Sequence, residues 1–441
     1  MIKVIILLGV FIIPLSVGNV QAQDKKWNLK ECIDYAVKHN VEVKQGENQI
    51  KKLKVERSTL KNSFLPDLNA GASQKFAFGR SLNQENTYED SNIQNTSFSL
   101  VTEIPLFRGF KTSASISQNK FDLLAAEANK ELIENNLSLN VTGCYFQILL
   151  NKEIYRITQE QIRLIKEQED RTQLLIENGK APQSQLYDVK AQLADDELSA
   201  TEARNSLRLS FLELVQLMEL QGSDYFDVDS LDEDVIEMEV LNPGNIYASA
   251  LNCMPQIKQA YYSLQSSFKS VKVAKSGYYP TLSMGAGINT GYYYSGGAVN
   301  QSFNQQFKNN MQKSIYFTLS IPLFDRFSTR NQVRTARIEE DNARLSLENE
   351  KKSLYKDIEK AYMDAIAAFE KYESTTKAVT ANREAHRYAL EKYAAGKSAV
   401  YEYNEIKMKL ADALSQQSQA KYTYLLKKRI LAFYSCHSLA E

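Results

Sequence analysis

One short phrase occurs twice in this chain: IPLFRGF at 104–110 and IPLFDRF at 321–327. The offset of 217 persists downstream, where NGKAPQSQLYDVKAQLAD (178–195) matches AGKSAVYEYNEIKMKLAD (395–412). Gly179 falls on Gly396, Lys180 on Lys397, Leu193 on Leu410 and Asp195 on Asp412. Upstream the offset is 214: VKQ (43–45) matches IKQ (257–259), and SFLPDLNAGA (63–72) matches GYYPTLSMGAG (277–287). The slip falls between Pro66 and Pro105, where a loop absorbs an insertion. Agreement spread over most of the chain at two close offsets marks a duplicated half, not a short stacked repeat. The fold must therefore be built from two similar units, 23–222 and 244–441. An acidic segment at 223–243, with DSLDED and neither helical nor strand-like patterning, is expected to be a surface connector.

Within each half the hydrophobic period changes. A helix is expected over 28–64. Period two then takes over: Leu68, Ala70 and Ala72 alternate with polar or small residues, as do Leu282, Met284 and Ala286. Phe98, Leu100, Thr102 and Ile104 share one face of a second strand, and Ile315, Phe317, Leu319 and Ile321 share one in the other half. Such alternation is that of a half-exposed strand. Polar loops at 79–94 and 291–310 join the strands, giving one β-hairpin per half, 67–105 and 281–322. After each IPLF the period becomes 3.6. Leu354, Ile358, Ala361, Ala365, Ala368 and Tyr372 form one helical stripe. Apart from Gly143, no Pro or Gly interrupts 112–177, and none interrupts 329–395. Each stretch predicts a helix of about 65 residues, roughly 100 Å at ~1.5 Å per residue. Each ends at a Gly-Lys turn, where glycine suits the left-handed cap. A returning helix follows, carried by Leu186, Val189 and Leu193, and by Tyr403, Ile406 and Leu410. Pro66, Pro105, Pro280 and Pro322 are expected at the four helix–strand junctions, where proline stops one period running into the other.

The N-terminus reads as an address. Lys3 precedes an apolar run at 4–17, and Val20 and Ala22 occupy the small-residue positions of a cleavage site. Residues 1–22 are expected to be a signal peptide, too short for a transmembrane helix. Four strands of about ten residues have the length that spans a bilayer when tilted. Lipid tolerates no open sheet edge, and four strands cannot close, so the chain must oligomerise. Two copies would give eight strands and a filled interior; three would give twelve and a lumen. Phe76, Phe78, Tyr292, Tyr293 and Tyr294 at one end, and Phe107, Phe110, Phe324 and Phe327 at the other, fit interfacial girdles.

Charge and motifs exclude several classes. Lys plus Arg and Asp plus Glu both number 53, so no net basic balance suggests a nucleic-acid partner. Cys32, Cys144, Cys253 and Cys436 are scattered without a CxxC, and are read as buried or unpaired thiols. His39, His386 and His437 have no metal-ligand spacing, so no metal and no cofactor is expected. No nucleophile elbow, phosphate loop or zinc-protease signature is present, so no enzyme is expected.

The order of these elements resembles the TolC family of outer-membrane efflux channel proteins. Tyr393, Ala394, Ala395 and Gly396 match that family's Y-x-x-G turn, while Ile176 stands where the first half would carry Tyr. The resemblance covers nearly all of the mature chain. It implies a mixed α/β membrane protein, a homotrimer with a β-barrel in outer-membrane lipid and a long α-helical barrel extending into the periplasm. It implies a passive exit duct of a multi-component efflux or type I secretion system, served by a periplasmic adaptor (membrane fusion) protein and an inner-membrane transporter. It also implies a channel constriction at Asp188, Glu402 and Glu405, a ring of carboxylates favouring cations. Gly179, Lys180, Gly396 and Lys397 become the periplasmic tip turns, with the lysines toward the adaptor. The family's basic residue two positions after the glycine is replaced here by Ser398. The competing class is a periplasmic coiled-coil adaptor or scaffold. It would share the export signal, but needs one hairpin flanked by barrel or lipoyl-like domains.

Overall fold

Both halves share one core succession: two helices, two long strands, a long helix and a returning helix. The computed structural model describes residues 26–82, 86–90, 92–220, 227–230, 242–296 and 299–436. The signal peptide expected at 1–22 and most of the connector lie outside these residues. The first half comprises β1 (Lys26–Trp27), α1 (Leu29–His39), α2 (Val41–Asn62), β2 (Asn69–Ala77), β3 (Arg80–Leu82), β4 (Tyr88–Asp90), β5 (Ile93–Arg108), α3 (Lys111–Glu177) and α4 (Gln183–Leu217). The connector carries β6 (Asp227–Val228), and the second half comprises α5 (Pro243–Cys253), α6 (Pro255–Lys275), a 3-10 turn (Ser276–Tyr278), β7 (Thr281–Ser295), α7 (Phe303–Asn309), β8 (Gln312–Ser320), α8 (Ser328–Ala394) and α9 (Val400–Tyr434). The long helices α3 and α8 are both 67 residues, and the returning helices α4 and α9 both 35.

The four long strands form one antiparallel sheet in the order β2-β5-β7-β8. Each strand is continuous with one helix, and neighbouring helices keep the order: α2 packs on α3, α3 on α6, and α6 on α8. Below the middle of the molecule α4 and α9 replace α2 and α6, packing on α3 and α8. The stripe expected on α8 is buried from Leu354 through Ala368, with Tyr372 half-buried. The largest core lies at the waist, where Leu29, Cys32, Val141, Tyr145, Ile148 and Leu214 meet.

Register assigns the faces of the sheet. Cross-strand partners Leu100–Ile288, Thr102–Ala286–Ile315 and Ile104–Met284–Phe317 share one apolar face. Ser99–Asn289–Gln312, Glu103–Gly285–Tyr316 and Pro105–Ser283–Thr318 share the other. The polar face continues into the helices as one concavity of 1240 Å³, lined by groups such as Ser63, Glu103, Thr112, Ser283, Ser320 and Asn331. The apolar face is uncovered over much of its length: Ile315 is 69% exposed and Phe317 65%. Among the described residues β2 and β8 each have one neighbour in this sheet, so both lateral edges are open.

Several expectations are corrected. The helix expected over 28–64 breaks at Asn40, whose side chain caps α2 through Glu42 N and donates to Leu217 O. Pro105 is not at a helix–strand junction. It lies inside β5 at a register shift, beyond Val101, where pairing with β2 stops and a missing N–H leaves the ladder intact on that side. Pro66, Pro280 and Pro322 do separate helix from strand. The inner strands reach 16 and 15 residues, longer than ten. The 291–310 loop is largely ordered structure: β7 runs to Ser295, and α7 follows. Gln306 of α7 accepts from Tyr293 N and donates to Tyr293 O, sealing the β7 edge where β8 has ended. Tyr293 belongs to the polar face, opposite Tyr292 and Tyr294, because the strand alternates. The connector is not wholly superficial: Val228 is 1% exposed, and β6 pairs in parallel with β1. Finally, Cys253 and Cys436 form a disulfide with a Cα–Cα distance of 6.4 Å, because the end of α5 packs beside the end of α9. Cys32 and Cys144 are free thiols.

Candidate functional site at the helical tip

The end of the molecule farthest from the sheet is made by two equivalent turns. At the end of α3, Gly179 adopts φ 69°, Gly179 N–H donates to Ile176 O and Lys180 N–H to Leu175 O. At the end of α8, Gly396 adopts φ 70°, with Gly396 N–H donating to Tyr393 O and Lys397 N–H to Lys392 O. These paired bonds satisfy the last carbonyls of each helix, and the left-handed backbone selects glycine. No atom lies within 4 Å of a Cβ added at either glycine, so backbone conformation and not space is the constraint. Lys180 and Lys397 are exposed directly beyond.

The three acidic candidates sit on the first turns of the returning helices. Asp188 on α4 and Glu405 on α9 occupy equivalent positions, and both are exposed. Glu405 accepts a 2.6 Å ion pair from Lys409, one turn on. Glu402 accepts from Ser398 Oγ at 2.7 Å and Tyr401 OH at 3.3 Å. The Ser398 bond, above all, holds its carboxyl below the usual glutamate value. Ser398, standing where a cation was expected, is thus itself the partner of Glu402. Among the described residues no hydrogen bond or ion pair links Asp188 to Glu402 or Glu405. The turns and the carboxylates therefore share one end of the molecule.

Two segments of the chain, 32–219 and 246–434, each match the pattern of the family described as Outer membrane efflux protein. The chain belongs to that family. The two matches fall on the two halves, and the family description makes the chain an outer-membrane efflux protein, an exit channel. It is 24% identical over 426 residues to Outer membrane protein TolC of Salmonella enteritidis, covering 94% of this chain and 83% of that one. Protein CyaE of Bordetella pertussis is 23% identical over 415 residues, covering 92% and 82%. Among solved structures, the Campylobacter jejuni CmeC outer membrane channel aligns with TM-score 0.76 at 19% identity, covering 94% and 87%. VceC, the outer membrane protein of Vibrio cholerae, aligns with TM-score 0.73 at 16% identity, covering 93% and 96%. These neighbours share the fold: long helices with a small sheet at one end.

In this outer-membrane efflux protein the tip also holds a buried polar layer that sequence reasoning missed. The apolar core there is small, with Ile165, Val189 and Val400 at its centre. Beside it Lys407 of α9 is 3% exposed. Its ammonium donates to Asp196 of α4 and to Gln161 O of α3, both at 3.4 Å. Burial pulls its pKa below the ordinary lysine value, and Asp196 opposes that shift. Tyr403 stacks on Tyr393 at 5.1 Å and contacts His386 Nε2 at 3.4 Å. Burial and then the Lys407 charge depress the pKa of His386. Gln168 Nε2 and Asn404 Oδ1 are buried without a hydrogen-bond partner. One signal was available. Lys407 sits at i+4 from Tyr403 and three before Leu410, inside the stripe that faces the core. Its equivalent, Lys190, is exposed and only reaches Glu169 at 4.0 Å, so the repeat conceals the burial.

Proposed function

We propose that three copies close the open edges into a twelve-stranded barrel in the outer membrane, with the helices forming a duct across the periplasm. The observation that carries this is the four-stranded sheet with two open edges, one exposed apolar face and one polar concave face. In lipid such edges require closure, and a twelve-stranded barrel is wide enough for a lumen lined by the polar face. The duct is passive: a periplasmic adaptor docks at the tip turns around Gly179, Lys180, Gly396 and Lys397, and an inner-membrane transporter supplies energy and cargo. The same duct serves efflux or type I secretion, as the resemblance to the TolC family implies.

The tip is the gate. Asp188, Glu402 and Glu405 of three copies converge on the axis as a carboxylate constriction that favours cations. The thin apolar core and the buried polar layer give this end few contacts to hold it shut, as moving elements require. The test is current through the protein in a planar bilayer. Glu405→Gln with Asp188→Asn should lower the cation-over-anion permeability ratio severalfold while leaving outer-membrane insertion intact. Unchanged selectivity in a channel that conducts would show that these carboxylates are ordinary solvated helix charges.

A further inference from the structure

The chain is electrically neutral overall, but its charge is segregated. In the ten helical residues nearest the sheet on α2, α3, α6 and α8, there are eleven Lys and Arg and one acid, Glu56. Farther from the sheet acids are interspersed, and several cations are paired: Arg344 with Glu340 and Asp341, Lys258 with Glu131, Lys130 with Glu134. The eleven nearest the sheet make no ion pair among the described residues. Six of them line two adjoining outer grooves. One, of 340 Å³, lies between α3 and α6 and presents Lys269, Lys272 and Lys275 beside Phe110 and Tyr279. The other, of 490 Å³, lies between α6 and α8 and presents Lys275, Arg330, Arg334 and Arg337 beside Tyr278 and Tyr279.

Aromatic rings connect these grooves to the apolar face of the sheet. Phe107 is placed with Leu282 at the lower end of that face. Its ring meets Phe110 at 5.1 Å, and Phe110 meets Tyr279 at 5.9 Å. On the α8 side Phe324 meets Phe327 at 5.5 Å, and the Arg330 guanidinium lies 5.6 Å from the Phe327 ring. Moving away from the sheet, one passes from apolar strand, to aromatic ring, to unpaired cation within about 15 Å. That sequence matches the layers of a membrane boundary: hydrocarbon, interface, headgroup phosphate.

We infer that these two grooves bind the phosphate groups of anionic phospholipids in the periplasmic leaflet, fixing the depth and tilt of the barrel. This rests on the reading of the apolar face as lipid-facing. Phosphate suits the site because Arg offers a bidentate fork, and clustered Lys a concentrated charge, against a headgroup held at fixed depth.

The test is native mass spectrometry of the protein extracted from bilayers containing phosphatidylglycerol and phosphatidylethanolamine. The wild type should retain phosphatidylglycerol preferentially. Lys272→Gln, Lys275→Gln and Arg334→Gln should each reduce that retention about fivefold, and the triple variant should abolish the preference. Lys352→Gln, far from the sheet and paired with Glu348, should change nothing. Equal retention of both lipids by an inserted wild-type protein, or an unaltered preference in the triple variant, would overturn the assignment. So would a triple variant that keeps its lipid but no longer sediments with isolated peptidoglycan, which would give the grooves to that polymer. Failure of the wild type to enter bilayers at all would instead strike the membrane reading beneath it.

Discussion

Replacing Lys407 by methionine removes a cation from the tip and leaves Asp196 without its counter-charge, with only the Gln192 amide still donating to it at 2.9 Å. The two side chains are 4% and 13% exposed and 3.4 Å apart. Breaking one side of a fully buried pair costs about 3–5 kcal/mol. Asp196 retains some access to water, and methionine keeps most of the aliphatic stem packed, so about 2–3 kcal/mol is expected here. The loss is localised. Lys407 joins α9 to α4 through Asp196 and to α3 through Gln161 O, so it ties the second helical hairpin to the first. At ~1.4 kcal/mol per decade, amides near the tip should exchange with solvent roughly 30- to 150-fold faster. Hydrogen exchange resolved by mass spectrometry over 157–177 and 383–410 measures this, with 141–150 at the waist as an unchanged control. The double variant Lys407→Met with Asp196→Asn should recover much of the protection, since no buried charge is then left alone. Wild-type exchange in Lys407→Met, or a double variant as loose as the single, would refute the reasoning.

Four further outcomes follow from the structure. His386 is held below its ordinary value of 6.5, so its contribution is full above 6.5 and is lost as pH falls below it, because the unfolded state takes the proton first. Tip protection factors, taken against the intrinsic exchange rate at each pH, should therefore fall on acidification, and His386→Phe should flatten that dependence. Gly179→Ala and Gly396→Ala should each cost about 1–2 kcal/mol in local stability, from backbone conformation alone, read by the same exchange experiment. Reducing Cys253–Cys436 should lower stability by about 2–4 kcal/mol in thermal melts, while buried Cys32, its thiol pushed up to about 12, resists alkylation in the folded protein. Phe317→Asp, on the exposed apolar face of β8, should block outer-membrane insertion, seen as loss from the membrane fraction, whereas Thr318→Asp on the polar face should not.

The periodicities carried far because each element of this fold has its own period. The switch from two to 3.6 after IPLF places the start of α3 and α8, and Gly179 and Gly396 place their ends, since a left-handed cap leaves a sequence mark. What stayed hidden depends on partners distant in the chain. Nothing local shows that Asn40 breaks a helix by reaching Leu217 O, that Gln306 seals a strand edge, or that Cys436 meets Cys253. Pro105 reads as a stop because proline removes a donor, but beyond Val101 that side of β5 has no partner strand to notice. Lys407 reads as an ordinary helix charge until α3, α4 and α9 pack around it. The carboxylates Asp188, Glu402 and Glu405 carry no local mark that separates them from other helix charges; only the resemblance singles them out, and all three are exposed in one chain.

The central claim is closure by three chains. The direct measurement is the native mass of the protein extracted by mild detergent from the outer-membrane fraction, with bound detergent subtracted. Three copies per particle are predicted, giving twelve strands and no open edge. A soluble monomer would contradict the account, because the edges of β2 and β8 and the exposed face carrying Ile315 and Phe317 would then have nothing to close or cover them.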